Sequence, residues 1–411
     1  MKILDLIPDS DSIAISDFKN KINYYQLKEQ VKTKVEALSF LKPRDVVWVQ
    51  CVNTIDTMIN YLALWELGIC IIPIDPQLGT LEIQALQDEL PAQFFLRHPD
   101  FKKQEAIQTV SKQNSEILDA YLVQLSSGTT GRPKIILISN EALLYRAQCY
   151  RDELGLTPKD KTLCSVPLSH SHGIDCLALP TLFAGGELYL SDPATSFPYR
   201  ILEWIQETKI TYFSSLPQMY DLFNQMAKQK KYDLSSLRHA FCGSAALSEN
   251  TALEFNKLYN LNLKQGYGLA EIGVICANFK ADSNHYTSIG RPIPGIEWNV
   301  ASDGELMVKS KALFSGYYKN FAETENRMEN HFLKTEDLVS VDDQGFFYIS
   351  GRKNDFINVL GQKVYPKEIE EKLGIIEGVA EYCITAQDDT QRGQIPVLHL
   401  VPTNQGQDKS Q

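Results

Sequence analysis

No stretch of this 411-residue sequence reaches the roughly 18 consecutive apolar residues that a membrane-crossing helix requires, so no membrane span is expected. The opening MKILDLIPDSDS is broken by acids and Pro8 before an apolar signal core can build up. The eight cysteines stand singly, with no CxxC pair and no zinc spacing with histidine. Buried thiols of a cytoplasmic protein are therefore expected, not disulfides or metal ligands. Basic side chains are in the minority, 40 Lys and Arg against 51 Asp and Glu, for a formal charge of −11. That balance argues against nucleic acid as the main partner, because a phosphate backbone calls for a basic surface. A nucleotide ligand needs only a local pocket and is not excluded. No Ser-His-Asp or Cys-His nucleophile set is evident, so no acyl-enzyme intermediate is expected. Internal repeats and low-complexity tracts are also absent.

What is present suits a soluble globular protein of two or three domains, with 44% hydrophobic and 22% charged residues. Tyr24, Leu27, Val31, Val35 and Leu38 recur at helical spacing, which predicts a helix over 20–38. VVWVQ (46–50) predicts a buried strand, Ile55 to Leu62 a second helix ended by Gly68, and CIIPI (70–74) another strand. Strand, helix, strand with short links is the pattern of a parallel α/β unit. It recurs as a helix over 201–208, a strand over 210–217, and LRHAFCGSA (237–245), a strand running into small residues. Such strands tend to end in a ligand crevice. After about residue 295 the pattern changes to short strands such as ELMVKS (305–310) and GFFYIS (345–350), a β-rich region. The tail PTNQGQDKSQ is expected to fray.

LSSGTTGRPK (125–134) is the strongest chemical signal. Ser126, Ser127, Gly128, Thr129, Thr130 and Gly131 lie between two predicted strands, DAYLVQL and IILIS, with Lys134 just beyond. Such a loop can aim backbone N–H groups and hydroxyls at an anion, and Lys134 adds a mobile positive charge. It is not a Walker A loop, which needs a GK[ST] ending. The competing reading is a flexible Ser/Thr/Gly linker, disfavoured by the apolar strands on both sides.

These ten residues resemble the phosphate-loop signature of the adenylate-forming superfamily of acyl-CoA synthetases, peptide-synthetase adenylation domains and luciferases. Further segments are similar to that family's motifs in the family's order: ELGICIIPIDP (66–76), PLSHSHG (167–173), CGSAAL (242–247), QGYGLAE (265–271), SIGRPIPG (288–295), GELMVKS (304–310), FLKTEDL (332–338) and GRKNDFINVLGQKVYPKEIE (351–370). The resemblance covers roughly residues 20–400. It implies an α/β fold with a large N-terminal body, residues 1–350, of two α/β lobes and a β-rich lobe. A small, truncated C-terminal subdomain over 351–411 would follow a hinge at Asn354.

The resemblance also implies roles. ATP and Mg²⁺ are the expected cofactors, a small carboxylic acid the substrate, and CoA or a carrier-protein phosphopantetheine the acceptor. The loop with Lys134 would hold the β- and γ-phosphates, and Glu271 the Mg²⁺. Gly243, Ser244 and Ala245 would flank adenine, with Tyr267 stacked on it beside Gly268. Asp337 would accept both ribose hydroxyls, and Arg352 would reach the ribose or α-phosphate. His170, His172 and Gly266 would border the acyl pocket. Lys134, Glu271 and His170 are the expected catalytic residues.

Four departures from the family pattern stand out. Ala270 replaces a Thr or Ser, Glu336 a glycine, and Asn354 the usual Asp or Lys. Only 41 residues follow Glu370, about half the usual subdomain, and the family's late lysine motif is not among them. A shortened chain, a lysine supplied by a partner chain, and a module that binds nucleotide without turnover are the three readings. Relatives that take α-amino acids present an Asp to the amine. Counted back from LFAGG (182–186), that place is held by His172, with Asp175 three residues on. A non-amino acid, aryl or short acyl, is therefore expected.

Overall fold

The computed structural model describes residues 2–90, 92, 94–96, 119–126, 134–282, 284–360, 362–374, 376, 378–389 and 392–402. They gather into two compact units, one of Met1–Glu297 with Lys309–His331, the other of Trp298–Val308 with Phe332–Gln411. The β-rich segment expected within the large body groups instead with the C-terminal segment. Its strand Glu305–Lys309 pairs antiparallel with Phe332–Val341, which pairs in turn with Phe347–Arg352. The expected boundary at residue 350 falls inside that last strand.

In the first unit, Val46–Gln50 and Cys70–Ile74 run parallel from Val46↔Cys70 to Gln50↔Ile74, and every residue of both strands is buried. Such continuous apolar runs mark strands covered on both faces. Helix Ile55–Glu66 crosses between them. Thr54 caps it by accepting from the Thr57 amide, and Gly68, at φ +74°, turns the chain into the next strand. Ala120–Ser126 joins this sheet parallel to Cys70–Ile74, then pairs antiparallel with Lys134–Ser139. The helix predicted from residue 20 begins later. Lys21–Asn23 is a strand, and Asn23 and Gln26 cap helix Tyr24–Ala37 reciprocally, each side chain accepting from the other's amide.

A second sheet of the same unit has nine strands among the described residues. At its centre Leu263–Leu269, His239–Cys242, Tyr212–Ser215, Lys161–Cys164 and Glu187–Leu190 lie side by side and parallel. Phe213, Tyr220, Phe223 and Phe255 form the core beneath it, fully buried with ring centroids 5.2–6.0 Å apart. The parallel strands all point one way, so the loops after Cys164, Cys242 and Leu269 leave from one edge. These loops carry the histidine, small-residue and Glu271 motifs, as the crevice rule for open parallel sheets anticipates.

The second unit adds a four-stranded sheet in which Val379–Asp389 and Gly393–Pro402 form a long antiparallel hairpin. Helix Pro366–Leu373 precedes it, with Pro366 at the first helical position where no amide partner is lost. The tail expected to fray, from residue 403, lies outside the described residues. No helix among the described residues is long and apolar enough to cross a membrane.

Candidate functional site

The chain leaves its sheet at Ser126 and re-enters at Lys134, which face each other across the antiparallel pair. The positions assigned to phosphate between them, Ser127, Gly128, Thr129, Thr130 and Gly131, lie outside the described residues. Lys134 Nζ is 2.7 Å from Glu323 Oε1 and 5.1 Å from the centre of the Tyr317 ring. The Tyr317 hydroxyl donates to Glu271 Oε1 at 2.6 Å. Burial, then the Glu271 charge, push that phenol far above its ordinary range, so it stays a donor. Glu271 itself is only 7% exposed, and its carbonyl accepts from the Phe314 amide at 2.7 Å. Lys134 and Glu271 are thus braced by one tyrosine that sequence motifs did not single out.

Glu271 sits in a tight connection between antiparallel strands Leu263–Leu269 and Gly273–Asn278. Gly268 has a packing reason there: a Cβ would lie 2.1 Å from the Gly273 carbonyl oxygen. Tyr267 is half-buried and pairs with Cys276; Gly266 precedes it opposite Ala277. On the neighbouring strand end, Gly243 is buried and Ser244 is exposed with φ +64°. That left-handed backbone costs a serine about 1 kcal/mol or more, and Ala245 follows it half-buried.

His170 is exposed, and its carbonyl accepts from the Gly173 and Ile174 amides. His172 is half-buried, with Nε2 2.8 Å from Ser214 Oγ. Burial, helped by nearby His170, lowers its pKa to about 4, so the ring is neutral at pH 7. Asn53 braces the same loop from the other sheet's strand end. It donates to the Val166 and Ser191 carbonyls at 2.9 and 3.0 Å and accepts from the Leu168 amide at 3.0 Å. Asp175 is buried in the interior. Its Oδ2 accepts from Ser171 Oγ at 2.6 Å and lies 3.3 Å from Arg146 Nη1, with both acidic and basic side chains 2% exposed. Arg146 also donates to the Ala312 and Ala270 carbonyls. The alternative in which Asp175 receives a substrate amine is set aside by these partners.

In the second unit Asp337 is 3% exposed and stands opposite Arg352 on paired strands. Arg352 Nε donates to Asp337 Oδ1 at 3.1 Å while its side chain remains 56% exposed. Glu336 takes φ +61°, the left-handed conformation that favours glycine. Its side chain accepts from the amide of Asn354, the expected hinge residue, at 3.2 Å. Lys353 braces the turn on Glu305 and Asp303, and those two bonds raise its pKa. Asn53, Arg146, Tyr317 and Glu323 are the neighbours that sequence motifs missed. No motif or spacing in the sequence singled them out.

A family model described as AMP-binding enzyme matches residues 8–318. A long-chain-fatty-acid–CoA ligase of Bacillus subtilis (strain 168) is 30% identical over 327 residues, 72% of this chain and 58% of that ligase. The chain therefore spans less than two thirds of the length of this curated relative. The fold is similar to the crystal structure of ATP-bound MatB from Rhodopseudomonas palustris, with TM-score 0.86, 22% identity, and 98% of this chain and 88% of the other covered. It is also similar to the o-succinylbenzoate coenzyme A synthetase MenE of Bacillus subtilis in complex with ATP and magnesium ion. There the TM-score is 0.82 at 21% identity, over 95% of this chain and 87% of the other.

Proposed function

The chain belongs to the AMP-binding enzyme family, and on that footing we propose that it activates a carboxylic acid with ATP. A carboxylate oxygen attacks the α-phosphorus, pyrophosphate leaves, and the acyl-AMP is passed to a thiol of CoA or of a phosphopantetheine carrier. Every reacting group is anionic, so the site must offset repulsion and the charge growing on the leaving pyrophosphate. The observation that supports this reading is the brace from Lys134 through Tyr317 to Glu271, which holds a cation and a carboxylate on one side chain.

Lys134, with Ser126 and the loop after it, takes the β- and γ-phosphates, displacing Glu323 from the ammonium. Glu271 suits Mg²⁺, because Tyr317 takes one carboxylate oxygen and so fixes the direction of the other. Magnesium commonly uses one or two carboxylates plus phosphate oxygens, so no larger acidic cluster is required. When bound it would neutralise phosphate charge. Gly243, Ser244 and Ala245 flank adenine, Tyr267 stacks on it, and Asp337 accepts the ribose hydroxyl protons with Arg352 as a further donor. Glu336 does not oppose this assignment, since it already adopts the glycine conformation.

His170, His172 and Gly266 border the acyl pocket. A neutral His172 where amino-acid relatives have Asp, together with Asp175 engaged by Arg146, supports a non-amino acid, aryl or short acyl. The second reading is a module that binds nucleotide without turnover. Ala270 favours it, since its side chain offers no hydroxyl and its carbonyl is taken by Arg146. Pyrophosphate release from Mg-ATP against a panel of aryl, acyl and amino acids, with hydroxylamine as trap, separates the two. Release dependent on one non-amino acid is expected. ATP binding lost in Asp337→Ala, without release for any acid, would establish the second reading instead.

A further inference from the structure

The geometry points to Tyr317 as a positioning residue that sets the metal affinity of Glu271, an inference that rests on the function proposed above. Three independent constraints fix this side chain. First, Gly316 and Tyr317 pair with Leu137 and Ile136 on the strand that begins at Lys134, so Tyr317 cannot slide relative to the lysine. Second, successive strand residues face opposite ways. Tyr318 packs into the core around Ile135 and Leu137, which sends Tyr317 to the other face. Third, the segment is tied at both ends: the Tyr317 amide donates to Thr324 Oγ1 at 2.9 Å, and the Phe314 amide donates to the Glu271 carbonyl. Glu271 is therefore held twice by this one segment, through its backbone and through its carboxylate.

The chemistry of the hold matters for a cation. A phenol donating to a carboxylate at 2.6 Å is a short, charge-assisted bond that fixes which oxygen faces away. The hydroxyl is the donor in this bond, so it orients the carboxylate without taking the place of the metal. Its ring meanwhile lies against Lys134 Nζ, so the ammonium and the carboxylate share one rigid support. Partners that orient a ligating carboxylate in this way typically change metal affinity or activity about 10–100-fold when removed.

The test compares wild type, Tyr317→Phe, Glu271→Gln and the double variant. ATP binding is measured by calorimetry across a Mg²⁺ titration and in EDTA, and pyrophosphate release is followed at each Mg²⁺ concentration. Tyr317→Phe keeps the ring under Lys134 and loses only the bond. We expect its Mg²⁺ midpoint to rise about tenfold. Its ATP affinity in EDTA should stay near wild type. In the Glu271→Gln background the same substitution should add less than about a twofold effect, because its partner is already altered. A Tyr317→Phe midpoint equal to wild type overturns the inference while leaving the proposed function standing, as does an undiminished tenfold effect in the Glu271→Gln background. Wild type whose ATP binding ignores Mg²⁺ altogether overturns both.

Discussion

The first unit and the second each present a carboxylate expected to meet ATP, and they support it by opposite means. Glu271 is bound by Tyr317, 46 residues away, and the lysine on the same tyrosine is paired with Glu323, 189 residues from it. Asp337 is bound by Arg352, 15 residues away, across two strands joined by a short turn. The first arrangement is interior and cross-braced, with Arg146 and Asp175 buried behind it. The second is local, and its arginine is more than half exposed. Buried, remote partners lend rigidity at a high cost if one is lost. A local, exposed partner is cheap to lose for folding and can be spent on a ligand.

That contrast can be broken most directly at Arg146. Arg146→Met leaves Asp175 charged and buried and should cost about 3–5 kcal/mol in urea unfolding. Adding Asp175→Leu should recover most of it, since Arg146 Nη2 and Asp175 Oδ1 have no hydrogen-bond partner even in the intact pair. A cost below about 1 kcal/mol for Arg146→Met would mean that the first unit is no more tightly braced than the second.

A smaller effect is expected from His172. Its folded pKa of about 4 lies below the ordinary 6.5. Between those values the unfolded chain binds a proton that the native chain does not. Stability is therefore whole above pH 6.5 and falls as pH drops toward 4. Relative to His172→Gln, wild type should lose about 2 kcal/mol between pH 7 and pH 5. Parallel pH profiles of the two proteins would refute the desolvated ring.

The smallest stability effect belongs to Arg352. Arg352→Ala should change unfolding free energy by less than about 1 kcal/mol, as exposed ion pairs do. It should nevertheless weaken ATP binding by roughly tenfold, the value of one charge-assisted bond. Loss of stability without loss of ATP affinity would reverse the comparison and make Arg352 a structural residue.

Much of this was legible in the order of residues. The parallel α/β pattern, the strands Val46–Gln50 and Cys70–Ile74, and the two strands flanking the Ser/Thr/Gly loop all arise from local rules. Apolar runs, helix caps and turn residues act over a few positions, so they are written consecutively. The small-residue and Tyr267–Glu271 segments were legible only through their resemblance to the family's motifs. Which neighbours the β-rich segment packs with was not legible, because strand composition does not say which sheet edge will accept a strand.

What only the tertiary structure decided is who stands behind each reactive side chain. Nothing near Glu271 in the sequence announces Tyr317, and nothing near Lys134 announces Glu323. Nothing near Asp175 in the sequence announces that Arg146 and Ser171 surround it. These partnerships depend on how a strand from residues 316–317 adds to the edge beside Lys134–Ser139 and which face each residue then presents. Periodicity fixes that a strand has two faces; only the packed sheet decides that Tyr318 goes to the apolar core and Tyr317 to the carboxylate.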